Sequence, residues 1–166
     1  MNTHVRDNLL ALKDPPSTAV TLNASDLTTT STSFTNIDGT NLSKQITTTG
    51  GDVIVHFEGS FAMSNSDLSS RCRGSLDFTV DGTRQGNTDG CLTLGEGGFS
   101  EHTDNEGGTP VTLTRLVTGL AAGTHTFAMQ WMVGSDGAGT TTIRLFGGGG
   151  STYNRSAPHF WAREVS

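Results

Sequence analysis

Strict alternation of apolar and polar side chains is the feature that most constrains how this chain can fold. It is clearest from residue 53 onward, where one side of an extended chain would carry Val53, Val55, Phe57, Phe61 and Met63. Successive side chains of a β-strand point to opposite faces, so this period of two predicts a long strand with one buried face. Gly59 interrupts the apolar row and predicts either a bulge or a close approach of another segment.

The same alternation recurs in short runs that are separated by turn sequences. The clear runs lie at residues 76–80, 111–117, 124–133, 141–145 and 160–165, and weaker ones at 20–22, 33–37, 42–48 and 92–94. The chain has 166 residues, enough for one domain with a proper core, and its 22 glycines suit the turns between short strands. We therefore predict an all-β sandwich or barrel of about eight to ten antiparallel strands.

The first residues follow a different period. Val5, Leu9 and Leu12 are spaced as on one side of a helix, and Pro15 and Pro16 would end it. We predict a helix and proline linker over residues 1–16 and a β domain over residues 17–166. A single short helix is marginal in water, so it needs a partner: its own domain, sister copies or a larger assembly.

Charge and hydropathy exclude several partners. The net charge is −6 and no basic run is present, so binding to nucleic acid is not expected. No apolar run approaches the roughly 20 residues that span a bilayer. The N-terminus also lacks the pattern of a secretory signal, so we expect release by lysis or prior loss of a leader.

Catalytic motifs are absent from the sequence. The five histidines are dispersed, and neither a G-x-S-x-G nor an HExxH motif occurs. Glu58 and Asp77 could form a carboxylate pair on adjacent strands, but isolated surface carboxylates are far commoner. His125 begins a strand just after a turn, which favours a structural histidine at the rim of a sheet. We expect no enzyme activity and no cofactor.

The two cysteines leave two alternatives open. Cys72 and Cys91 flank a predicted strand and the turn that follows it, so a disulfide across neighbouring strands is one interpretation and the one we favour. Assembly in a reducing cytosol would instead leave two thiols.

Several loops are candidates for binding. Acidic glycine-containing turns at residues 87–90, 101–108 and 134–139 could hold calcium, although Asn-Gly and Asp-Gly are also standard turn residues, which is the interpretation we favour. The glycine-rich segment 146–154 lacks the Lys of a phosphate-binding loop. Its end, with Tyr153, Asn154 and Arg155, is either a recognition tip or a plain connector.

Two stretches resemble known proteins. "MNTHVRDNLLALK" is similar to a segment common in fibre and other virion proteins of tailed phages. "VTLTRLVTGLAAGTHTFAMQWMV", together with the terminal "FWAREV", resembles the last strands of the C1q/TNF-like jelly roll. The resemblance implies a jelly roll that forms homotrimers and has a binding or structural role. It also places Phe127, Met129 and Trp131 in the core, and Phe160 and Trp161 on the last strand near the subunit contact.

These observations together predict a non-enzymatic, trimeric structural protein on the surface of a tailed-phage particle. It would be a capsid decoration protein or short tail appendage, assembled in the host cytoplasm and bound to other virion proteins. A face bearing Gln130 and Met132, if it forms one apolar patch, favours an oligomer independently. The alternative is a carbohydrate- or receptor-binding module that recognises a host-surface glycan through tips such as Tyr153 and Trp161.

Overall fold

Paired β-strands account for the regular structure of this protein. The computed structural model describes residues 15–22, 25–67, 70–95, 108–148 and 157–165. These ranges contain strands and no helix, and the helix predicted from Val5, Leu9 and Leu12 lies outside them. No helix able to span a membrane is found among these residues. The strands are β1 (Ser17–Thr21), β2 (Leu27–Thr29), β3 (Thr35–Asn36), β4 (Ser43–Thr48), β5 (Gly51–Asn65), β6 (Arg71–Val80), β7 (Thr83–Arg84), β8 (Leu92–Leu94), β9 (Thr109–Leu120), β10 (Gly123–Asp136), β11 (Thr141–Leu145) and β12 (His159–Val165).

The strands form two antiparallel sheets. In the first, β5 lies between β12 and β9, β1 pairs with the far edge of β12, and β11 and β2 continue the sheet from the end of β5. In the second, β10 pairs with β6 on one side and with β4 and then β3 at successive stretches of its other side, and β7 and β8 pair with the far side of β6. The chain changes sheet between β2 and β3, β4 and β5, β5 and β6, β8 and β9, β9 and β10, and β10 and β11. This is a jelly-roll sandwich, which confirms the predicted all-β class.

Large apolar side chains from both sheets fill the space between them. The row predicted from the alternation in β5 is confirmed, since Val53, Phe57 and Phe61 are fully buried. The facing sheet contributes buried side chains at alternate positions of β6 and β10: Leu76, Phe78, Phe127, Met129 and Trp131. The interior is therefore a packed core.

Gly59 marks a close approach of another strand. A Cβ built there would lie 2.8 Å from Cδ1 of Leu145 and 3.2 Å from Cζ of Phe57, both in fully buried side chains. The pairing of β5 with β9 stays in register through Gly59, and its irregularity falls between Gly51 and Val53. Of the two predicted interpretations, the close approach is the correct one.

One buried carboxylate fastens the turn between β4 and β5. Glu164 occupies an inward position of β12 and is 2% exposed. Its Oε1 accepts hydrogen bonds from the backbone N–H of Thr49 at 2.9 Å and from the Thr49 hydroxyl at 3.1 Å. These bonds hold the end of β4 against the last strand.

The favoured disulfide is wrong, since Cys72 and Cys91 are both thiols. The backbone N–H of Cys91 donates to the carbonyl of Leu76, which is four residues along β6 from Cys72. At roughly 3.3 Å per residue this offset is about 13 Å, well beyond the Cα separation of a disulfide. The Cys91 thiol also lies against Asp77, on the face of β6 opposite to the core.

The close approach at Gly59 predicts a stability loss in Gly59→Ala. The added methyl group overlaps Leu145 inside a filled core, so we expect a loss of about 1–3 kcal/mol in the free energy of unfolding. Urea denaturation followed by tryptophan fluorescence measures it. Gly134→Ala is the matched control, because a Cβ there has its nearest neighbour at 3.8 Å. Equal stability of the two variants would contradict the packing described here.

Candidate functional site

The two sheets differ in what lies over their outer faces. On the outward side of β6, Ser75, Asp77 and Thr79 are all buried, which shows that this face is covered. The cover is the segment 85–91 together with Phe34, whose ring lies 3.7 Å from the Arg84 guanidinium. Gln130 and Met132 on β10 are half-buried.

The outer face of the first sheet remains accessible. We call the outward side chains of β5, β9 and β12 the open face; its central members are Ile54, His56, Glu58, Thr114, Leu116, His159, Trp161 and Arg163. Leu116 is 54% exposed, and it is the one large hydrophobic side chain in the described ranges that is exposed. Ile54 and Trp161, on the neighbouring strands, are half-exposed. The open face is therefore apolar at its centre and polar towards one end.

An aromatic and ionisable cluster occupies the polar end of the open face. The rings of His56 and Trp161, which are cross-strand partners, stack with centroids 5.1 Å apart and planes 19° apart. Nδ1 of His56 lies 2.8 Å from the Thr114 hydroxyl, which fixes the orientation of the imidazole. Two oxygens of Glu58 lie 3.7 Å from Nε2 of His56 and 3.9 Å from Nδ1 of His159. A carboxylate flanked by two imidazoles gains attraction when either imidazole is protonated.

His125 has a structural role at the rim of the second sheet. Its Nδ1 lies 2.7 Å from a carboxylate oxygen of Asp81, and its Nε2 lies 2.9 Å from the carbonyl of Ala121. Because both ring nitrogens face acceptors, the bond to Ala121 and then that to Asp81 raise the pKa of His125. The backbone N–H of Thr126 and the His125 ring lower the pKa of Asp81.

The predicted carboxylate pair is not formed. Glu58 lies on β5 of one sheet and Asp77 on β6 of the other, and each points away from the core. At residues 87–90 the turn interpretation is correct, since the side chain of Asn87 accepts the N–H of Asp89 and the carbonyl of Asn87 accepts that of Gly90. Within the described ranges no group of three or more potential metal ligands occurs.

The structure places the other candidate residues in different environments. Phe127, Met129, Trp131 and Phe160 are buried in the core. Trp161, on the same strand as Phe160, points outward into the open face. The candidate recognition residues Tyr153, Asn154 and Arg155 lie outside the described residues.

Sequence reasoning missed the open face because it is built across strands. His56, Thr114 and Trp161 are far apart in the chain and meet only through the pairing of β5 with β9 and β12. The available signal was that the outward positions of β5 and the last strand carry His, Glu and Trp rather than Thr and Ser. Alternation alone does not tell which strands are neighbours.

The contacts of His125 predict a pH-dependent contribution to stability. The raised pKa of His125 stabilises the fold fully below the ordinary histidine value of about 6.5, and this contribution is lost as pH rises through the raised value. The lowered pKa of Asp81 stabilises above the ordinary aspartate value of about 3.9 and is lost as pH falls. We expect His125→Gln to lower Tm more near pH 5.5 than near pH 9, as measured by calorimetry. Equal losses at both values would contradict the ionic contact.

The fold is similar to solved structures from different functional classes, at low identity. No protein-family model and no curated protein matches the chain. The chain is similar to the infectious bursal virus-derived T=1 particle, with 11% identity over 92% of this chain and 37% of that chain and a TM-score of 0.41. It is also similar to Eiger TNF from S. frugiperda, with 11% identity over 91% of this chain and 94% of that chain and a TM-score of 0.39. A third similar structure is the CBM35 from Paenibacillus barcinonensis, with 15% identity over 89% and 99% and a TM-score of 0.30. This chain thus spans little more than a third of the viral chain.

Proposed function

We propose that this protein is a non-enzymatic, homotrimeric structural component of a tailed-phage particle, and that its copies associate through the open face. It would decorate the capsid or form a short tail appendage, exposed on the virion surface after assembly in the host cytoplasm. The observation that carries the proposal is the contrast between the two sheets. In the second sheet the outer side of β6 is covered by the chain itself, whereas the open face of the first sheet presents Leu116 to solvent beside the half-buried Ile54 and Trp161.

Physical arguments support association through this face. Burial of apolar surface is the main favourable term in association, and aromatic side chains are enriched at the centres of interfaces. The open face combines the apolar Leu116 and Ile54 with charged neighbours, Arg163 directly beside Ile54 and Glu58 towards the polar end, and interfaces likewise join apolar and polar side chains. A closed ring of three copies buries the same patch on every copy and leaves none exposed.

The particle role is supported by the similarity of residues 1–13 to a segment of phage virion proteins. We take the N-terminal segment, residues 1–16, as the anchor to the particle. A symmetric trimer would present three copies of this anchor at once, and this multivalency strengthens attachment to a symmetric site.

A charge placed at the centre of the open face should prevent association. We expect Leu116→Asp to sediment as a monomer at micromolar concentration, while the unmodified protein sediments as a trimer. Thr47→Asp is the matched control, because Thr47 is exposed on the outer face of the other sheet. Circular dichroism would verify that both variants remain folded. A monomeric mass for the unmodified protein would overturn the trimer.

Removal of residues 1–14 tests the particle role separately. A tagged full-length protein supplied during particle assembly should co-sediment with purified particles, and the truncated form should not, because the proposed anchor is missing. Both forms should keep the same oligomeric mass, since the open face is intact. Equal recovery of both forms with particles would contradict an anchoring role for this segment, and absence of both would contradict the virion assignment.

A further inference from the structure

A polar cleft lies at the edge of the sandwich and borders the open face at Leu116. It has a volume of about 280 Å³ and opens between β9, an edge strand of the first sheet, and the segment 85–91, which follows β7 in the second. Its polar lining consists of Gln85, Asn87, Cys91 and Arg115, and Val117 adds an apolar side. Each sheet thus contributes one wall.

The wall formed by segment 85–91 is held in place by a buried carboxylate. Asp77 has no exposed surface, and its Oδ1 accepts hydrogen bonds from the backbone N–H of Gly86 at 2.9 Å and from the Cys91 thiol at 3.2 Å. Its Oδ2 accepts the Nε–H of Arg84 at 2.8 Å. At Gly86 a Cβ would lie 2.5 Å from the backbone nitrogen of Cys91, so the two ends of the turn touch. This wall is therefore formed before any ligand arrives, which lowers the entropic cost of binding.

The cleft has a local positive charge in an acidic protein. Asp77 compensates Arg84, and Asp89 compensates Arg73. Arg115 is exposed and donates one hydrogen bond, from Nη2 to the carbonyl of Cys91 at 3.0 Å. The ion pairs of the described residues include no carboxylate partner for it.

The Cys91 thiol adds no negative charge to this site. Burial, followed by the contact with Asp77, raises the pKa of Cys91 to about 11. The thiol thus stays protonated at neutral pH and acts as a donor to Asp77. The cleft keeps the single positive charge of Arg115, although the whole chain carries −6.

The wall formed by segment 85–91, which faces Arg115, offers an acceptor and a donor for hydroxyl groups. Gln85 uses Nε2 to donate to the carbonyl of Thr83 at 2.9 Å, and the hydrogen bonds of the described residues leave its Oε1 available. Asn87 uses Oδ1 to accept from Asp89 at 2.8 Å, and the same bonds leave its Nδ2 available. Such paired amide groups match the alternating hydroxyls of a sugar ring.

We propose that this cleft binds a monosaccharide unit that carries a carboxylate, with Arg115 holding the carboxylate and Gln85 and Asn87 holding ring hydroxyls. A guanidinium recognises a carboxylate through two parallel hydrogen bonds, which gives orientation as well as affinity. The volume is slightly below the range of roughly 300–1,000 Å³ for drug-sized ligands, which fits one ring better than several. The cleft adjoins the proposed assembly contact at Leu116, but the inference does not rest on that contact.

Titration with glucuronate and glucose tests the carboxylate requirement. These two sugars share a ring and differ at the carboxylate. In ¹⁵N-labelled full-length protein, millimolar glucuronate should shift the side-chain amide signals of Gln85 and Asn87 and the Nε–H signal of Arg115, while glucose should leave them nearly unchanged. Shifts confined to other residues, or none at all, would overturn the site.

Two variants test the role of the charge. Arg115→Gln should weaken glucuronate binding by roughly tenfold, in line with the loss of charge-assisted hydrogen bonds. Arg144→Gln removes an equal charge from the exposed position of β11 and should bind as the unmodified protein does. Equal affinity in Arg115→Gln would overturn the proposal.

Acetate separates a sugar site from a general anion site. We expect acetate to bind much more weakly than glucuronate, because it makes no contact with Gln85 or Asn87. Equal binding of both anions would overturn the sugar assignment. Neither Arg115→Gln nor Arg144→Gln replaces Leu116, Ile54 or Trp161. If both variants sediment as the same oligomer as the unmodified protein, a failure of the cleft proposal leaves the assembly proposal intact.

Discussion

Strand β5 is the element on which both the core and the open face depend. Its 15 residues pair with β9 along one edge and with β12 and β11 along the other, so it joins most of the first sheet. Its inward residues, such as Phe57, are buried against the second sheet, and its outward residues, such as His56, form the open face. A shift of pairing by one residue would exchange these two sets, so burial of the apolar row also fixes the composition of the open face.

The asymmetry between the two sheets comes from a buried charge. Asp77 points away from the core, and a carboxylate can be buried there only because donors from Phe78, Gly86, Cys91 and Arg84 satisfy it. The same bonds bring segment 85–91 over the sheet. Among the described residues of the first sheet, outward side chains bond to neighbouring strands, as His56 does with Thr114. Asp77 thus holds segment 85–91 over β6, and it also shapes the wall of the cleft.

Alternation predicted the fold well and the candidate sites poorly, for one physical reason. The inward row from Val53 to Met63 reflects burial, which is a property of each residue, and it appears directly in the sequence. Contacts such as that between His125 and Asp81, 44 residues apart, depend on which strands are neighbours, and a strand pattern is the same for every order of strands. The predicted disulfide between Cys72 and Cys91 is wrong for the same reason, because their proximity in sequence does not show that they lie on opposite faces of β6. Short strands β2 and β7 were missed because two or three residues show no period.

Electrostatics sets conditions on the proposed trimer. Each copy carries a net charge of −6, so three copies repel one another on average, and contact requires a surface where that charge is locally absent. The open face meets this condition at Leu116 and Ile54, which carry no charge. At its polar end Glu58 lies between His56 and His159. Repulsion between the more distant carboxylates is screened over a Debye length of about 8 Å at physiological salt, so higher salt should favour the trimer while the apolar contact itself is little affected.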